Sequence, residues 1–274
     1  MTKELSDRVA IVTGAAGGLG RAISEKFLEE GARVVLADVN KDAGESLAAD
    51  LGPQARFQRT DVADPQQVQA LVDFAVETFG GLHIMVNNAG VSGTMTDSFL
   101  NEDLTDFQRI MSINLLGVMH GTQAAGRHMA ASGGGAIVNI SSIGGTMANP
   151  GVPIYAASKA AVVHFSKGVA IDLAEHDIRV NCIAPGGIPT QLLSSATANP
   201  EMTKRIRAVM AAIQPMKRLG EARDVAEAVA YLVGDRSLHV TGTLLTVDGG
   251  TSAGMKRVVK PPTSVAPETE TAAS

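Results

Sequence analysis

The sequence predicts a single doubly wound α/β domain, a parallel sheet of about seven strands with helices on both faces. Three observations predict it. Short β-branched apolar runs alternate with longer segments of helical period along the chain. The runs are apolar on both faces, as strands covered on two sides are. A glycine-rich turn follows the first run directly, where an open parallel sheet places its ligand crevice.

The strand candidates are RVAIV (8–12), RVVLAD (33–38), ARFQRTDV (55–62), HIMVNNAG (83–90), AIVNIS (136–141), IRVNCIAP (178–185) and LLTVDGG (244–250). Leu19, Ala22, Ile23 and Phe27 recur at helical spacing after the first run, and Val68, Leu71, Val72, Ala75 and Phe79 do so after the third. The stretch SGGGA (132–136) reads as the turn that leaves a helix and enters the fifth strand. Two helical segments, 103–130 and 153–175, carry much apolar surface. A long connection follows PGG, and within it Met202, Ile206, Val209, Met210 and Ile213 fall on one helical stripe. The folded domain is expected over 1–255. Residues 256–274 are rich in proline, threonine and glutamate without any period, and read as a flexible tail.

Composition narrows the function. A net charge of −5 leaves no basic footprint for nucleic acid or an anionic membrane, so small molecules are the expected partners. No run reaches the roughly 18 apolar residues of a membrane span, and the acidic N-terminus does not look like a signal peptide, so a cytoplasmic protein is expected. Cys182, the one cysteine, lies in an apolar run and reads as an inert core thiol. The six histidines lack metal-ligand spacing, so no metal is expected. No G-x-S-x-G elbow surrounds Ser142, whose neighbours are Ser141 and Ile143, which argues against a hydrolase.

The turn after the first strand is TGAAGGLG (13–20). Its glycines allow a tight turn, let backbone N–H groups approach a pyrophosphate and open a helix whose positive end faces the phosphates. Gly14, Gly18 and Gly20 read G-x-x-x-G-x-G, a departure from the general G-x-G-x-x-G pattern. The second strand ends in Asp38, where a carboxylate accepts hydrogen bonds from both hydroxyls of an adenosine ribose. A 2′-phosphate there meets like charge, and Ala15, Ala16 and Gly17 offer no basic residue to hold it. NAD is favoured over NADP.

YAASK (155–159) places a phenol and an ammonium four residues apart, on one face of a helix. A free phenol is a poor base near neutral pH. The adjacent Lys159, with the positive charge of a nicotinium ring, is expected to stabilise the phenolate, so that Tyr155 exchanges a proton with an alcohol or ketone. Ser142, at the end of the fifth strand, can hold the same oxygen. Asn114, in INLLG, supplies an amide that can anchor a water beside the lysine.

These residues together resemble the classical short-chain dehydrogenase/reductase family over about residues 6–252. TGAAGGLG, Asp61 with Val62, NNAG (87–90), Asn114, Ser142, YAASK and PGGIPT (185–190) stand in the family's order. The resemblance implies a Rossmann-type domain and a catalytic tetrad of Asn114, Ser142, Tyr155 and Lys159, with the tyrosine as general acid/base and the lysine also gripping the nicotinamide ribose. It implies a cofactor site that includes Gly14, Gly18, Leu19 and Gly20 of the glycine loop, and Asp38. Asp61 and Val62 are to meet the adenine. Asn87, Ala89 and Gly90 are to border the cofactor, as are Pro185 and Gly186, while Ile188 and Thr190 contact the carboxamide. The family places a substrate lid at about 187–216, and many of its members are homotetramers.

For the substrate, Ile143, Met147 and Val152 lie between the serine and the tyrosine, and Leu192, Met202 and Ile206 lie in the lid. This aliphatic set either closes over an apolar ring or chain or packs on the protein itself. The function read from the sequence is an NAD-dependent oxidoreductase that interconverts a hydrophobic or cyclic secondary alcohol and its ketone. The alternatives are a 3-ketoacyl-thioester reductase on the same fold and a non-catalytic dinucleotide-binding sensor.

Overall fold

A computed structural model describes residues 3–102, 104–148, 151–197 and 199–254; the tail expected at 256–274 lies outside the described residues. Seven parallel strands form one sheet: β1 (Val9–Thr13), β2 (Arg33–Asp38), β3 (Ala55–Arg59), β4 (Ile84–Asn87), β5 (Gly135–Ile140), β6 (Ile178–Pro185) and β7 (Leu244–Val247). Their order in the sheet is β3-β2-β1-β4-β5-β6-β7. The chain winds outward from β1 to β3, returns, and winds the other way from β4. The reversal falls between β1 and β4, which pair through Ala10 with Ile84 and Val12 with Val86. A doubly wound sheet opens its crevice at this switch point, beyond the C-terminal ends of the strands.

The period of two in a strand decides which face each side chain enters. Ala10, Val12, Val34, Leu36, Ile84 and Val86 enter one core layer, under α1 (Gly18–Glu29), α2 (Lys41–Leu51) and α9 (Ala222–Val233). Their neighbours Val9, Ile11, Val35, Ala37 and Met85 enter the other. That layer is covered by α3 (Pro65–Phe79), α5 (Gly117–Ser132) and α6 (Pro153–Leu173). Both layers are fully buried and almost entirely aliphatic, with Phe27 the largest side chain among them. Cys182 is buried in a smaller cluster with Val118 and Val162, as a core thiol.

Several boundaries fall short of the sequence reading, each for a local polar reason. The third strand stops at Arg59 rather than continuing to Val62, because Asp61 Oδ1 turns back to accept the Ala63 N–H at 3.0 Å. The fourth stops at Asn87 because the Asn88 and Ala89 N–H groups donate to Thr13 Oγ1, at 3.0 and 3.1 Å, instead of continuing the ladder. The seventh stops at Val247 because Asp248 accepts the Gly250 and Ser252 N–H groups.

The segment expected as one helix over 103–130 is broken in register. A short α4 (Phe107–Met111) passes through one π-helical turn, Ser112–Leu116, before α5 begins. Asn114 sits inside that turn and is fully buried. Such single-turn bulges occur mostly at functional sites. The connection after β6 carries α7 (Gln191–Ala196), which lines the crevice, and then α8 (Pro200–Ile213).

Candidate active site

A cleft of about 530 Å³ runs across the C-terminal ends of the strands. Its walls come from five adjacent strands, β2, β1, β4, β5 and β6, a span of about 19 Å at the usual strand spacing. Asp38, Asn40 and Ala43 line one end, the glycine loop and Asn88 to Val91 the middle, and Ser142, Tyr155 and Lys159 the other. Pro185, Gly186, Ile188 and Thr190 close the side that leads into α7.

The glycine loop needs its glycines for two separate reasons. Gly14 and Gly18 have φ of 62° and 55°, the left-handed region that side chains oppose. Gly20 does not, yet a Cβ there would lie 2.2 Å from the Gly14 carbonyl oxygen, so the first turn of α1 can nest against the loop only without a side chain. The helix starts at Gly17 with no side-chain cap, which leaves its first N–H groups directed into the cleft. At the adjacent strand end, Asp38 Oδ2 accepts the Ala16 N–H at 3.0 Å and Oδ1 accepts the Asn40 N–H at 2.9 Å. The carboxylate is thereby fixed on the cleft wall. These features fit a dinucleotide: uncapped N–H donors for a diphosphate, and an acid for ribose hydroxyls.

At the other end, all four residues of the expected tetrad come together. The Tyr155 hydroxyl hydrogen-bonds with Ser142, whose Oγ also accepts the Gly144 N–H at 3.1 Å. Lys159 is 3% exposed, lies 5.9 Å from the centre of the Tyr155 ring and donates from Nζ to the Ile140 carbonyl at 2.9 Å. Asn114 donates to the Val91 carbonyl (2.8 Å) and to Ser158 Oγ (3.0 Å), and accepts the Val91 N–H at 2.8 Å. Its Oδ1 and Lys159 Nζ converge on Gly90, where a Cβ would stand 3.3 Å from each. The π turn thus ties the end of β4 to the turn of α6 that bears tyrosine and lysine.

Burial dominates the titration behaviour. It pushes the Tyr155 phenol above its ordinary range, and the hydrogen bond with Ser142 pulls more weakly the other way. The same desolvation brings the Lys159 amine down to about 8. The lysine by itself does not bring the phenol down, where the expectation was for the lysine and a nicotinium charge acting together. The low dielectric that would strengthen the pairing first penalises each charge separately. Cys182, behind the lysine, is pushed up to about 11 by burial and stays a neutral thiol.

Other expected positions lie elsewhere. Asp61 and Val62 do not line the cleft: the first caps a turn, and Val62 packs on the helix at Gly117. Asn87 lies beneath the cleft floor, its amide donating to Asn139 Oδ1 at 2.8 Å and Thr122 Oγ1 at 3.2 Å in a buried network. Its neighbour Asn88 reaches the wall, donating to the carbonyls of Thr13 and Gly14. Alternation along a strand end assigns the two asparagines opposite faces, a signal present in the sequence. Of the six substrate-side residues, Leu192 lines the cleft. Ile143, Met202 and Ile206 are half-buried outside it, Val152 is buried at the start of α6, and Met147 is turned outward. Among the described residues no cluster of His, Cys, Asp or Glu is arranged to hold a metal.

Comparison with known proteins agrees with this geometry. A family model described as enoyl-(acyl carrier protein) reductase matches residues 14–252. The chain is 41% identical to cis-4-hydroxycyclohexanecarboxylate dehydrogenase of Sinomonas cyclohexanicum, over 92% of this chain and 100% of that one. It is 37% identical to 7alpha-hydroxysteroid dehydrogenase of Escherichia coli (strain K12), over 90% and 94%. The crystal structure of a short-chain type dehydrogenase/reductase from Mycobacterium marinum superposes with a TM-score of 0.85 at 34% identity, over 92% of this chain and 98% of that one. The parallel sheet, the glycine loop at its switch point and these matches lead to one conclusion: the chain belongs to the short-chain dehydrogenase/reductase family of oxidoreductases.

Proposed function

We propose that the protein interconverts a hydrophobic, cyclic secondary alcohol and its ketone with NAD. The observation that carries this reading is the junction at Tyr155, a half-buried phenol bonded to Ser142 and backed by the Lys159 amine, at one end of a cleft that begins at a glycine loop. A bound nicotinamide supplies the hydride acceptor for oxidation and the hydride donor for reduction.

The chain's own residues handle the oxygen and the proton. Ser142 Oγ holds the substrate oxygen, and Tyr155 takes the hydroxyl proton on oxidation and returns it on reduction. Lys159, protonated at neutral pH, favours the phenolate once Tyr155 has given its proton up. Asn114 keeps the lysine-bearing turn in register with the end of β4, and its Oδ1 has a lone pair left to hold a water beside the amine. Asp38 supports NAD over NADP, because its fixed carboxylate suits ribose hydroxyls and repels a further phosphate.

The lining supports an uncharged, apolar substrate. Near Tyr155 the wall is Val91, Ile140 and Leu192, and Lys159 is the one lysine or arginine among the residues lining the cleft. Two of the relatives above carry the names of cyclic-alcohol dehydrogenases. We also propose a cytoplasmic homotetramer assembled through α5 and α6. A groove of about 470 Å³ between them, lined by Met119, Phe165, Val169 and Leu173, supports it, as does the nearby Ile171, which is 78% exposed.

The test is a panel of cyclic and linear secondary alcohols offered with NAD and with NADP, followed by nicotinamide absorbance. Turnover of cyclic alcohols with NAD is expected. Turnover confined to acyl thioesters with NADPH would reject the reading, and NADH binding without turnover of any alcohol or ketone would favour a sensor. Light scattering gives the oligomeric state.

A further inference from the structure

We propose that Ser141 and Gly145 are positioning residues for the reaction: they clamp the Lys159 peptide from two sides, and so fix how far Ser142 stands from the Tyr155 hydroxyl. The inference rests on the roles given to Ser142, Tyr155 and Lys159 in the proposed function, and adds to them two residues that carry no reacting group.

The need for a clamp comes from spacing. Ser142 follows β5 and Tyr155 stands on α6, so the two hydroxyls belong to separate elements. Their mutual hydrogen bond cannot hold the gap during turnover, because both hydroxyls then turn to the substrate oxygen. A contact made by other atoms has to hold it, since misplacement by about 1 Å costs on the order of 10² in rate.

That contact surrounds the Lys159 carbonyl. The Ser141 hydroxyl donates to it at 2.8 Å, and the Ser141 N–H donates to the Ile183 carbonyl of β6 at 2.7 Å. The residue before Ser142 is therefore tied to the sheet by its backbone and to α6 by its side chain. Three residues past Ser142, Gly145 closes the grip from the short helical turn Ile143–Gly145, which Ser142 caps. A Cβ on Gly145 would lie 2.7 Å from the Lys159 carbonyl carbon, 2.8 Å from its oxygen and 2.9 Å from the Ala160 nitrogen. All three are helix backbone atoms, which cannot swing aside as the end of a side chain does. Gly145 has no positive φ, so close approach, not a turn, is what requires glycine there. Ser142 lies between the two contacts in sequence, and Lys159 lies one helical turn from Tyr155. Holding the Lys159 peptide against both flanks of Ser142 thus places both hydroxyls in one frame. The Lys159 amine, bonded to the Ile140 carbonyl at 2.9 Å, joins that frame from the residue before Ser141.

The measurement is kcat and kcat/KM across pH for an alcohol that the wild type oxidises, with thermal melts alongside, for Ser141→Ala, Gly145→Ala, Tyr155→Phe and Ile137→Val. The added methyl of Gly145→Ala has to push the turn off α6, and kcat should fall about tenfold to a hundredfold. Ser141→Ala removes one hydrogen bond and should cost about threefold to tenfold. The bond with Ser142 pulls the phenol down, so a wider gap lets it rise, and the rising limb of kcat/KM for oxidation should move to higher pH in both variants. Ile137→Val, a core change within β5, lowers stability but should leave that limb in place. Wild-type kcat with an unmoved limb in Ser141→Ala and Gly145→Ala, or an equal movement in Ile137→Val, would overturn the assignment. Should Gly145→Ala not fold, the limb of Ser141→Ala decides alone. Turnover retained by Tyr155→Phe would overturn the proton carrier and the positioning inference with it. Turnover lost by Tyr155→Phe but unchanged in the other two would overturn the positioning inference alone.

Discussion

The Tyr155 turn of α6 and α8, the helix expected in a substrate lid, are built in opposite ways. In α6, Ser158 and Lys159 are buried, Ser158 Oγ bonds the Tyr155 carbonyl at 2.7 Å, and Ser141 Oγ bonds the Lys159 carbonyl at 2.8 Å. Ser141, Ser158 and Lys159, close to the Tyr155 hydroxyl, are each held by a named partner. In α8 no residue is buried, and Val209 and Ile213 of its apolar stripe are 52% and 53% exposed. Its Met210 packs against Gly187, but much of the stripe expected to close over substrate faces outward. Proton transfer needs groups fixed within hydrogen-bonding distance. Substrate selection tolerates, and a moving lid requires, few buried contacts and low local stability.

The largest effect should come from removing the proton carrier on the rigid side. Tyr155→Phe is expected to lower turnover by about 10² to 10⁴ while leaving NADH affinity within a few-fold, as loss of a general acid/base does. Retained turnover, measured with any active alcohol, would assign the proton to another group and break the contrast at its centre.

A smaller effect on the same side concerns charge rather than chemistry. Lys159 titrates near 8 in the fold against an ordinary 10.5, so between those values the unfolded chain binds more protons and stability rises with pH. Below pH 8 the full cost of burying the ammonium is present. Lys159→Met should therefore raise the unfolding temperature at pH 7, with a gain that shrinks as pH climbs past 8 towards 10.5, even though activity is lost. Thermal melts across that range read the difference, and a gain independent of pH would mean that the amine is not desolvated as the fold implies.

The smallest effects belong to the lid. Val209→Ser with Ile213→Ser exchanges exposed apolar surface for hydroxyls and should change stability by no more than about 0.5 kcal/mol per site. A change in the relative kcat/KM for bulky and small alcohols is expected, with little change for the smallest. Loss of all activity would show α8 to be part of the fixed framework and would erase the distinction between the two regions.

The strands and the tetrad were legible because their signals are local. Alternation in VAIVT and RVVLAD assigns each side chain a face whatever the strand's neighbours are, and Tyr155 and Lys159 must share a helix face at four residues apart. The adjacent asparagines were less so: Asn87 was read as a cofactor neighbour, but its amide is used by Asn139 and Thr122, partners far along the chain. The helix over 103–130 hid its π turn, because one extra residue in a turn leaves no mark on the apolar pattern, and Asn114's bonds from that turn run to Val91 and Ser158, partners distant in sequence. The upward push on the Tyr155 phenol was not legible for a similar reason, since sequence spacing gives the proximity of a charge but not the depth of burial around it.

By itself, then, the sequence determined the fold class, the order of elements and the pairing of Tyr155 with Lys159 on one helix face, because backbone period and covalent spacing encode them within a few turns. Only the tertiary structure decided that β1 and β4 lie side by side at the crevice, that Asn114 joins Val91 to Ser158, and that the Lys159 amine is buried and brought down to about 8. Those facts depend on which distant segments meet and on how much water they exclude, and no stretch of chain carries that information alone.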